Sequence, residues 1–250
     1  MKAFTTMLKT ELKLSVRDMN MIIFAIALPL VVTLILGFVY GSKPAYDGAA
    51  YTAFAQSFGA MSAFGIVAAG VMGLPLVLSD YRDKKILKRY QCMPTSPTLL
   101  LIVQLVKYAV YSVAGLLVVT LVSLCFGYRM QGNVFAFIGA FLFVLVAIYS
   151  IGMLVAALAP SMQVGGLICS VLYFPMLILS GTTLPYEIMP KWLQIISDIL
   201  PLTQGIKLMK GTSLGLPLND IYIPLIVLSA ITVVCTAIAI RFFKWDKKQK

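Results

Sequence analysis

The run LLLIVQLVKYAVYSVAGLLVVTLVSLCF, residues 99–126, carries a single charged side chain, that of Lys107. About 20 apolar residues are enough for a helix to cross a hydrocarbon core of roughly 30 Å, so this run is long enough to span a membrane. Its hydrophobicity does not alternate from residue to residue, as it would in a strand of a membrane barrel. The run therefore predicts a membrane-spanning helix.

Five further segments share this length and composition. They are residues 20–40, 52–78, 134–159, 164–180 and 221–243. The whole chain has 60% hydrophobic and 12% charged residues, a composition that is typical of membrane proteins. We therefore predict an all-α membrane protein with six transmembrane helices, which form a single domain over residues 1–250.

The positions of Lys and Arg predict the orientation of these helices. Fourteen of the 20 lie before the first span, between the second and third spans, or after the sixth, and five lie on the opposite side. Short loops rich in Lys and Arg tend to stay in the cytoplasm. Residues 1–18, 79–98 and 244–250 are therefore predicted to be cytoplasmic, and residues 181–219 to lie outside. The net charge of +11 then reflects topology and contact with anionic lipid, and no nucleic-acid partner is expected.

Residues 1–18 precede the first span and mix apolar with basic side chains. Apolar residues such as Phe4 and Leu8 and basic residues such as Lys9 and Lys13 can be sorted onto different faces of a helix. Such a helix lies along a membrane surface, with its apolar face in the lipid. We predict an amphipathic interfacial helix at the inner membrane surface.

Several classes of chemistry are excluded because their residues are missing. The chain has no His, so neither a Ser/His/Asp triad nor a His-ligated metal site can form. Its four Cys are widely spaced and form no CxxC site. No GxxxxGK[ST] P-loop is present, so if transport by this protein uses ATP, another subunit binds it. We predict no catalytic, cofactor-binding or metal site on this chain.

Polar residues within the spans bear on the source of energy. Gln104, Lys107, Tyr108 and Tyr111 share one face of the third span and could line a substrate path. The alternative is that Lys107 extends to the inner interface, as long basic side chains do. None of the nine Asp and Glu residues lies deep in a predicted span, which weighs against an ion-coupled transporter. An ion site made of backbone carbonyls stays open as an alternative.

The segment between the fifth and sixth spans is apolar but interrupted by proline. It reads LSGTTLPYEIMPKWLQIISDILPLTQGIKLMKG over residues 179–211. Pro190 can begin a short amphipathic helix that Pro201 ends, and a second short helix is expected to end at Gly211. Two such helices just outside the last span predict an outer hairpin, which sits at the interface or enters the membrane as a re-entrant hairpin.

These motifs resemble those of the membrane subunits of type 2 ABC exporters, notably the drug-resistance-like permeases of bacteria. The family's outer motif is similar to Ser180-Gly181, Pro185, Pro190, Trp192-Leu193-Gln194 and Pro201-Leu202-Thr203. The inner motif is similar to Lys88-Arg89 and Met93-Pro94-Thr95-Ser96-Pro97, although Lys85 stands where many relatives have Gly. The resemblance implies an outer gate that is supported by Gly181, Pro185, Pro190, Trp192 and Pro201.

The resemblance also implies a role for the charged segment DYRDKKILKRYQCMPTSP, residues 80–97. In this family, the loop between the second and third spans forms a coupling helix against an ATPase subunit. The residues implied here are Asp80, Arg82, Asp83, Lys84, Lys85, Ile86 and Leu87. Their mixed charges can pair across an interface, and the two apolar side chains can anchor it. The alternative is a solvated loop that only sets orientation.

An ATP-driven exporter is the function that the resemblance implies. The chain would be a permease subunit in a bacterial plasma membrane, a transport subunit and not an enzyme, with a drug, an antimicrobial peptide or a lipid-like molecule as cargo. Two permease chains, identical or paralogous, would work with two P-loop ATPase chains that bind ATP and Mg. The alternatives are an ion-coupled secondary transporter or channel that acts without an ATPase, and a membrane scaffold that moves no cargo.

Overall fold

A computed structural model describes residues 2–15, 19–41, 43–44, 51–91, 97–182, 186, 189–216 and 219–243. Within these ranges the regular structure is helical, apart from one isolated bridge between Pro44 and Thr52. The helices are α1 (Lys2–Ser15), α2 (Met19–Ile22), α3 (Leu28–Tyr40), α4 (Ala53–Val67), α5 (Leu74–Asp83), α6 (Ile86–Gln91), α7 (Pro97–Cys125), α8 (Val134–Leu158), α9 (Met162–Leu179), α10 (Lys191–Ile199), α11 (Pro201–Leu214) and α12 (Asn219–Phe242).

Six helical segments of the described chain are long and apolar enough to cross a membrane. They cover Ile23–Tyr40, Ala53–Asp83, Thr98–Cys125, Val134–Leu158, Met162–Leu179 and Tyr222–Phe242. The prediction of an all-α protein with six apolar spanning helices is therefore confirmed. The second helix is longer than expected, since it continues past Leu78 to Asp83.

Wide helical turns precede two prolines within the spans. Residues Ile23–Ala27 and Ala68–Gly73 form π-helical turns, and Pro29 and Pro75 follow them in α3 and α5. Proline has no N–H to donate, and its ring crowds the carbonyl four residues earlier. A π-helical turn accommodates such a break in the hydrogen-bond ladder, so both spans continue through their prolines.

The second span, α4 with α5, lies at the centre of the bundle. Its most apolar stretch is 83% buried, compared with 17% for the sixth span. Helix α4 packs against α7 and α11, and α5 packs against α8 and α9. Gly59 allows the close approach of α11, because a Cβ there would lie 2.8 Å from the backbone nitrogen of Lys210. The central span therefore holds the hairpin helices in place.

Helices α10 and α11 form the predicted pair between the fifth and sixth spans. Leu200 joins them, and Pro201 is the first residue of α11. The expected end at Gly211 is wrong, because α11 continues to Leu214 and ends where Gly215 adopts a φ of 70°. Glycine favours this left-handed conformation, so Gly215 is the residue that stops the helix. We call this end of the bundle the hairpin end, and the opposite end, with α1 and α6, the loop end.

Candidate functional site

The charged segment forms the junction of α5 and α6 at the loop end. Lys84 and Lys85 are exposed, as are Lys88 and Arg89 on α6. Lys84 Nζ forms an ion pair with Asp80 Oδ2 at 2.7 Å. Exposed ion pairs of this kind contribute about 0–1 kcal/mol, so this pair does little to fix the segment. The exposed side chains give this end a basic surface.

Arg82 lies inside the protein. Its side chain is 4% exposed, and Nη1 donates to the carbonyl oxygens of Ala156 at 2.8 Å and Ala159 at 2.5 Å. The guanidinium carbon also lies 5.4 Å from the ring centroid of Phe243. The last carbonyls of a helix lack helical partners and carry partial negative charge. Arg82 therefore closes the end of α8, and its side chain is not placed on the surface where a docking partner would meet it.

The neighbouring residue, Asp83, contacts the start of the next helix. Its Oδ2 accepts a hydrogen bond from the backbone N–H of Met162 at 2.6 Å. Met162 is the first residue of α9, where N–H groups lack helical partners and negative charge is favourable. Arg82 and Asp83 thus hold the two sides of the α8–α9 turn, residues 159–161, with charges that match the two helix ends. We call this pair the turn clamp.

The apolar part of the segment packs on its own chain. Leu87 is fully buried and Ile86 is half-buried, and α6 contacts α5 and α7. Leu87 therefore anchors α6 to the bundle. Lys85 has a φ of 57°, a conformation that favours glycine. Pro94 lies outside the described residues, and Pro97 begins α7.

A buried ion pair joins α1 to α7. Lys107 Nζ lies 3.2 Å from Glu11 Oε2, and the two residues are 4% and 8% exposed. The Tyr81 hydroxyl donates to Glu11 Oε1 at 2.8 Å, and Gln104 Nε2 lies 3.5 Å from the same hydroxyl. The structure thus pairs Lys107 with an acid of α1, an arrangement that neither interpretation of the sequence included.

The two tyrosines on this face of α7 have different surroundings. The Tyr111 hydroxyl donates to the Ser15 carbonyl at 2.8 Å and lies 2.7 Å from the Ser15 hydroxyl. Tyr108 borders a cavity of about 430 Å³ together with Met21 and Met72. Of the four residues predicted to line a path, Tyr108 therefore lies at a cavity, and the other three make contacts among α1, α5 and α7.

Three of the residues predicted for the outer gate, Gly181, Pro190 and Pro201, lie at bends of the hairpin. Gly181 follows α9 with a φ of 95°, a conformation that favours glycine. Pro190 caps the start of α10 and Pro201 begins α11. Pro185 lies outside the described residues. Three of the motif residues therefore have clear roles in shaping the backbone.

The apolar face of α10 is exposed in the part of the chain that the structure describes. Trp192, Ile195 and Ile199 are 64%, 68% and 74% exposed. This face therefore points away from the bundle. An uncovered apolar face of this kind is suited to lipid or to another protein chain.

The polar face of the hairpin holds a charged cluster that no motif in the sequence predicts. Asp198 Oδ1 pairs with Lys207 Nζ at 2.7 Å, and Asp198 Oδ2 accepts from the Tyr186 hydroxyl at 3.1 Å. Burial raises the pKa of the Tyr186 hydroxyl, and its hydrogen bond to Asp198 raises that pKa further. Gln204 Nε2 donates to the Asp198 carbonyl at 2.7 Å. Helical spacing gives no signal for these contacts, because the break at Pro201 brings the two helices together.

The clusters just described are built from ion pairs and hydrogen bonds. In the part of the chain that the structure describes, no three His, Cys, Asp or Glu residues come together in a way that could hold a metal ion. The geometry of the clusters suits them to holding helices in fixed relative positions. The turn clamp does so for α5, α8 and α9, and the Glu11–Lys107 pair does so for α1 and α7.

Comparison with known proteins gives the family. Residues 2–214 match the family model of the ABC-2 type transporter. The chain is similar to Nodulation protein J of Neorhizobium galegae, with 39% identity over 97 residues, which are 39% of this chain and 35% of that protein. It is also similar to Nodulation protein J of Rhizobium leguminosarum bv. viciae, with 39% identity over 75 residues, 30% of this chain and 29% of that protein. These matches span about a third of the length of the two relatives. Because the family model covers most of its length, the chain belongs to the ABC-2 type transporter family of membrane permeases.

Proposed function

We propose that this chain is the permease subunit of an ATP-driven exporter. A separate P-loop ATPase binds ATP and Mg and hydrolyses the ATP, and a second permease copy, identical or paralogous, completes the path. The proposed cargo is a drug, an antimicrobial peptide or a lipid-like molecule. The proposed location is a bacterial cell membrane with both termini in the cytoplasm, α1 along the inner surface and α10–α11 as a re-entrant hairpin. Membership of the ABC-2 type transporter family supports the transport role.

The turn clamp is the observation that carries the proposal. An ATPase that drives transport needs a surface to bind and a rigid connection from that surface to the spanning helices. The exposed side chains of Lys84, Lys88 and Arg89 offer the surface. Arg82 and Asp83, in the same segment, are bonded to the ends of α8 and α9. A movement of the segment would therefore be passed directly to the fourth and fifth spans.

Charge reversal on α6 tests the docking surface. We expect Lys88→Glu with Arg89→Glu to reduce the amount of ATPase that co-purifies with the chain by at least about tenfold, because two favourable charge contacts become repulsive and each tenfold corresponds to about 1.4 kcal/mol. The measurement is a pull-down from membranes at matched expression, followed by the rate of ATP hydrolysis.

The matched control reverses two exposed basic residues of α1, Lys9→Glu with Lys13→Glu. This control removes the same number of positive charges from the same predicted side, so it reproduces any effect on orientation. It should leave recruitment of the ATPase unchanged. An equal loss of ATPase recruitment in both variants would indicate that the charged segment acts only as an orientation signal.

A wild-type chain that transports cargo without any ATPase would favour the ion-coupled alternative, and one that recruits a partner but moves no cargo would favour the scaffold.

Labelling of single cysteines tests the proposed orientation. In a background without the native cysteines, Lys84→Cys should react with a membrane-impermeant maleimide only after the cells are opened, and Lys191→Cys should react in intact cells. Both positions are exposed, so the reagent can reach them from the side on which they lie. The reverse pattern would invert the proposed topology and place the basic surface on the wrong side for an ATPase.

A further inference from the structure

A cavity of about 570 Å³ lies between three of the spanning helices, α7, α8 and α12. Its volume falls within the range of roughly 300–1,000 Å³ that is usual for ligand sites. Thr98 at the start of α7, Met153 near the end of α8 and Phe243 just after α12 border it. These three helix ends lie at the loop end, so the cavity occupies the half of the bundle nearest to that end. We call it the lateral groove.

The walls of the lateral groove are apolar. Ten of its fourteen described lining residues have apolar side chains, and none of the fourteen is charged. The Tyr149 hydroxyl lies 2.9 Å from the Ser112 hydroxyl, and the Ser150 hydroxyl donates to the Ala147 carbonyl oxygen at 2.7 Å, so both of these lining hydroxyls are engaged within the chain. Walls of this kind favour a hydrocarbon ligand over one that needs hydrogen bonds or counter-charges.

The groove is bordered by residues on the outer surface of the bundle. Val146 and Ile240 belong to its lining and are 54% and 77% exposed. Both lie on spanning helices, so the medium around them is the hydrocarbon of a membrane. A lipid chain can therefore enter the groove sideways from the bilayer.

The depth of the groove matches one leaflet of a bilayer. Its lining runs along α7 from Thr98 to Ala109, which is about 16 Å of helix. Half of the hydrocarbon core measures roughly 15 Å. The acyl chain of a phospholipid reaches from the interface to the middle of the core, so a single chain has the length that the groove accommodates.

The groove also touches the turn clamp. Phe243 borders the groove, and its ring centroid lies 5.4 Å from the guanidinium carbon of Arg82. A cation–π contact is stronger when it is shielded from water. An acyl chain packed against Phe243 would exclude water from this contact and so strengthen it.

We propose that the lateral groove binds one acyl chain of a phospholipid from the leaflet at the loop end, and that the bound chain stabilises the contact between Phe243 and Arg82. The lining residues of α7, α8 and α12 hold the chain by apolar contact. Binding needs neither an ATPase nor cargo, so the proposal goes beyond the transport function and can be tested without it.

Photo-cross-linking in nanodiscs tests the binding. The probe is a phosphatidylcholine with a diazirine near the methyl end of one acyl chain, present at a low fraction in unlabelled phosphatidylcholine. The labelled residues are located by mass spectrometry of the digested protein. Exposed residues at a similar depth on α7, Val110 and Val113, report ordinary contact with the bilayer. Leu105 and Ala109, which line the groove, should be labelled at least about tenfold more strongly.

A substitution that fills the groove provides the second test. Ala109→Trp places a ring in the deep half of the groove and should abolish the excess labelling of Leu105. The matched control is Val110→Trp, at the next residue of the same helix, which is 46% exposed and outside the described lining. It should leave the labelling unchanged. Excess labelling that persists in a folded Ala109→Trp variant would overturn the proposal.

The wild-type protein gives a decisive result even if Ala109→Trp does not fold. Equal labelling of Leu105 and Val110 would overturn the proposal, whether bulk lipid or a second permease chain lies against this face. A diazirine-bearing palmitic acid, used at the same fraction, separates the two sources of an acyl chain. Labelling of the groove by this fatty acid but not by the phospholipid would also overturn the proposal.

The melting temperature tests the link to Arg82. Phosphatidylcholine added to delipidated protein in detergent should raise the melting temperature of the wild type and of Val110→Trp. The increase should be at least about halved in Phe243→Leu, which keeps an apolar wall and the labelling of Leu105 but removes the ring. An equal increase in Phe243→Leu and the wild type would overturn the stabilisation of Arg82 by the bound chain.

Discussion

Lys107→Met is expected to destabilise the protein strongly. The substitution keeps most of the apolar stem of the side chain but removes its charge, which leaves Glu11 buried without the positive charge it pairs with. Breaking a buried ion pair by removing one member costs about 3–5 kcal/mol. We expect a large fall in the melting temperature of the detergent-purified protein, and a matching fall in its free energy of unfolding in a denaturant titration. Glu11→Gln should have a similar effect, because it removes the negative charge that pairs with the ammonium of Lys107.

The double variant Glu11→Gln with Lys107→Met separates this structural role from a role in a transport path. It removes both charges, and the amide oxygen introduced on α1 can still accept the hydrogen bond from Tyr81, so its stability should recover most of what either single variant loses. Lys9→Met, on the exposed side of α1, is the control and should have no effect. If the two losses simply added, the pair would not be coupled. If the single variants were stable but failed to transport, Lys107 would belong to a cargo path.

The six spans could be predicted because each is a local property of the sequence. Length and hydropathy determine whether a helix can cross a membrane, and neither depends on the rest of the chain. The Glu11–Lys107 pair is a different case, because 96 residues separate its members. Hydropathy shows that Lys107 is unusual within its span, but it contains no information on which acid lies opposite. Such a partner is visible only once α1 has been placed against α7.

The sequence does contain a signal for the buried position of Arg82. Pro75, Leu78, Ser79 and Arg82 are buried at helical spacing on one face of α5. Composition alone predicts that the second span ends at Leu78, which places Arg82 in a surface segment. A helix that continues to Asp83 turns Arg82 inward with the apolar residues before it. The carbonyls that receive its hydrogen bonds have no sequence signal, because every residue has one.

The hairpin shows which helix boundaries local sequence signals can predict and which they cannot. Pro190 and Pro201 correctly predicted where α10 begins and where α11 follows it, because proline restricts its own backbone and removes a donor. The sequence predicts Gly211 as the end of α11, but Gly211 is buried inside the helix, and Gly215 ends it. Both glycines are compatible with a helix end by composition. The choice between them depends on how α11 packs against α4 and α12, and this packing cannot be read from the sequence.

Arg82→Met is expected to damage both the stability and the coupling of the protein. Without the guanidinium, the carbonyls of Ala156 and Ala159 lose their donor in a buried position, at a cost of about 1–3 kcal/mol for each. Arg82→Lys keeps the charge but cannot reproduce the planar guanidinium that lies over the ring of Phe243, so it should recover only part of the loss. The melting temperature in detergent measures the first effect. The rate of cargo-dependent ATP hydrolysis, at matched amounts of assembled complex, measures the second and should fall by at least about tenfold in Arg82→Met.

Substitutions of Asp83, the other residue of the turn clamp, distinguish a role in transmitting movement from a role in docking the ATPase. Asp83→Ala removes the acceptor at the start of α9, which should cost about 1 kcal/mol, whereas Asp83→Asn keeps an acceptor oxygen and should lie close to the wild type. Because the folded protein survives so small a loss, Asp83→Ala should still recruit the ATPase normally and yet export cargo more slowly. This is the opposite of the result expected for Lys88→Glu with Arg89→Glu, which should lose recruitment. Normal export by Asp83→Ala, or a loss of recruitment equal to that of the α6 variant, would contradict a clamp that passes movement from the charged segment to the fourth and fifth spans.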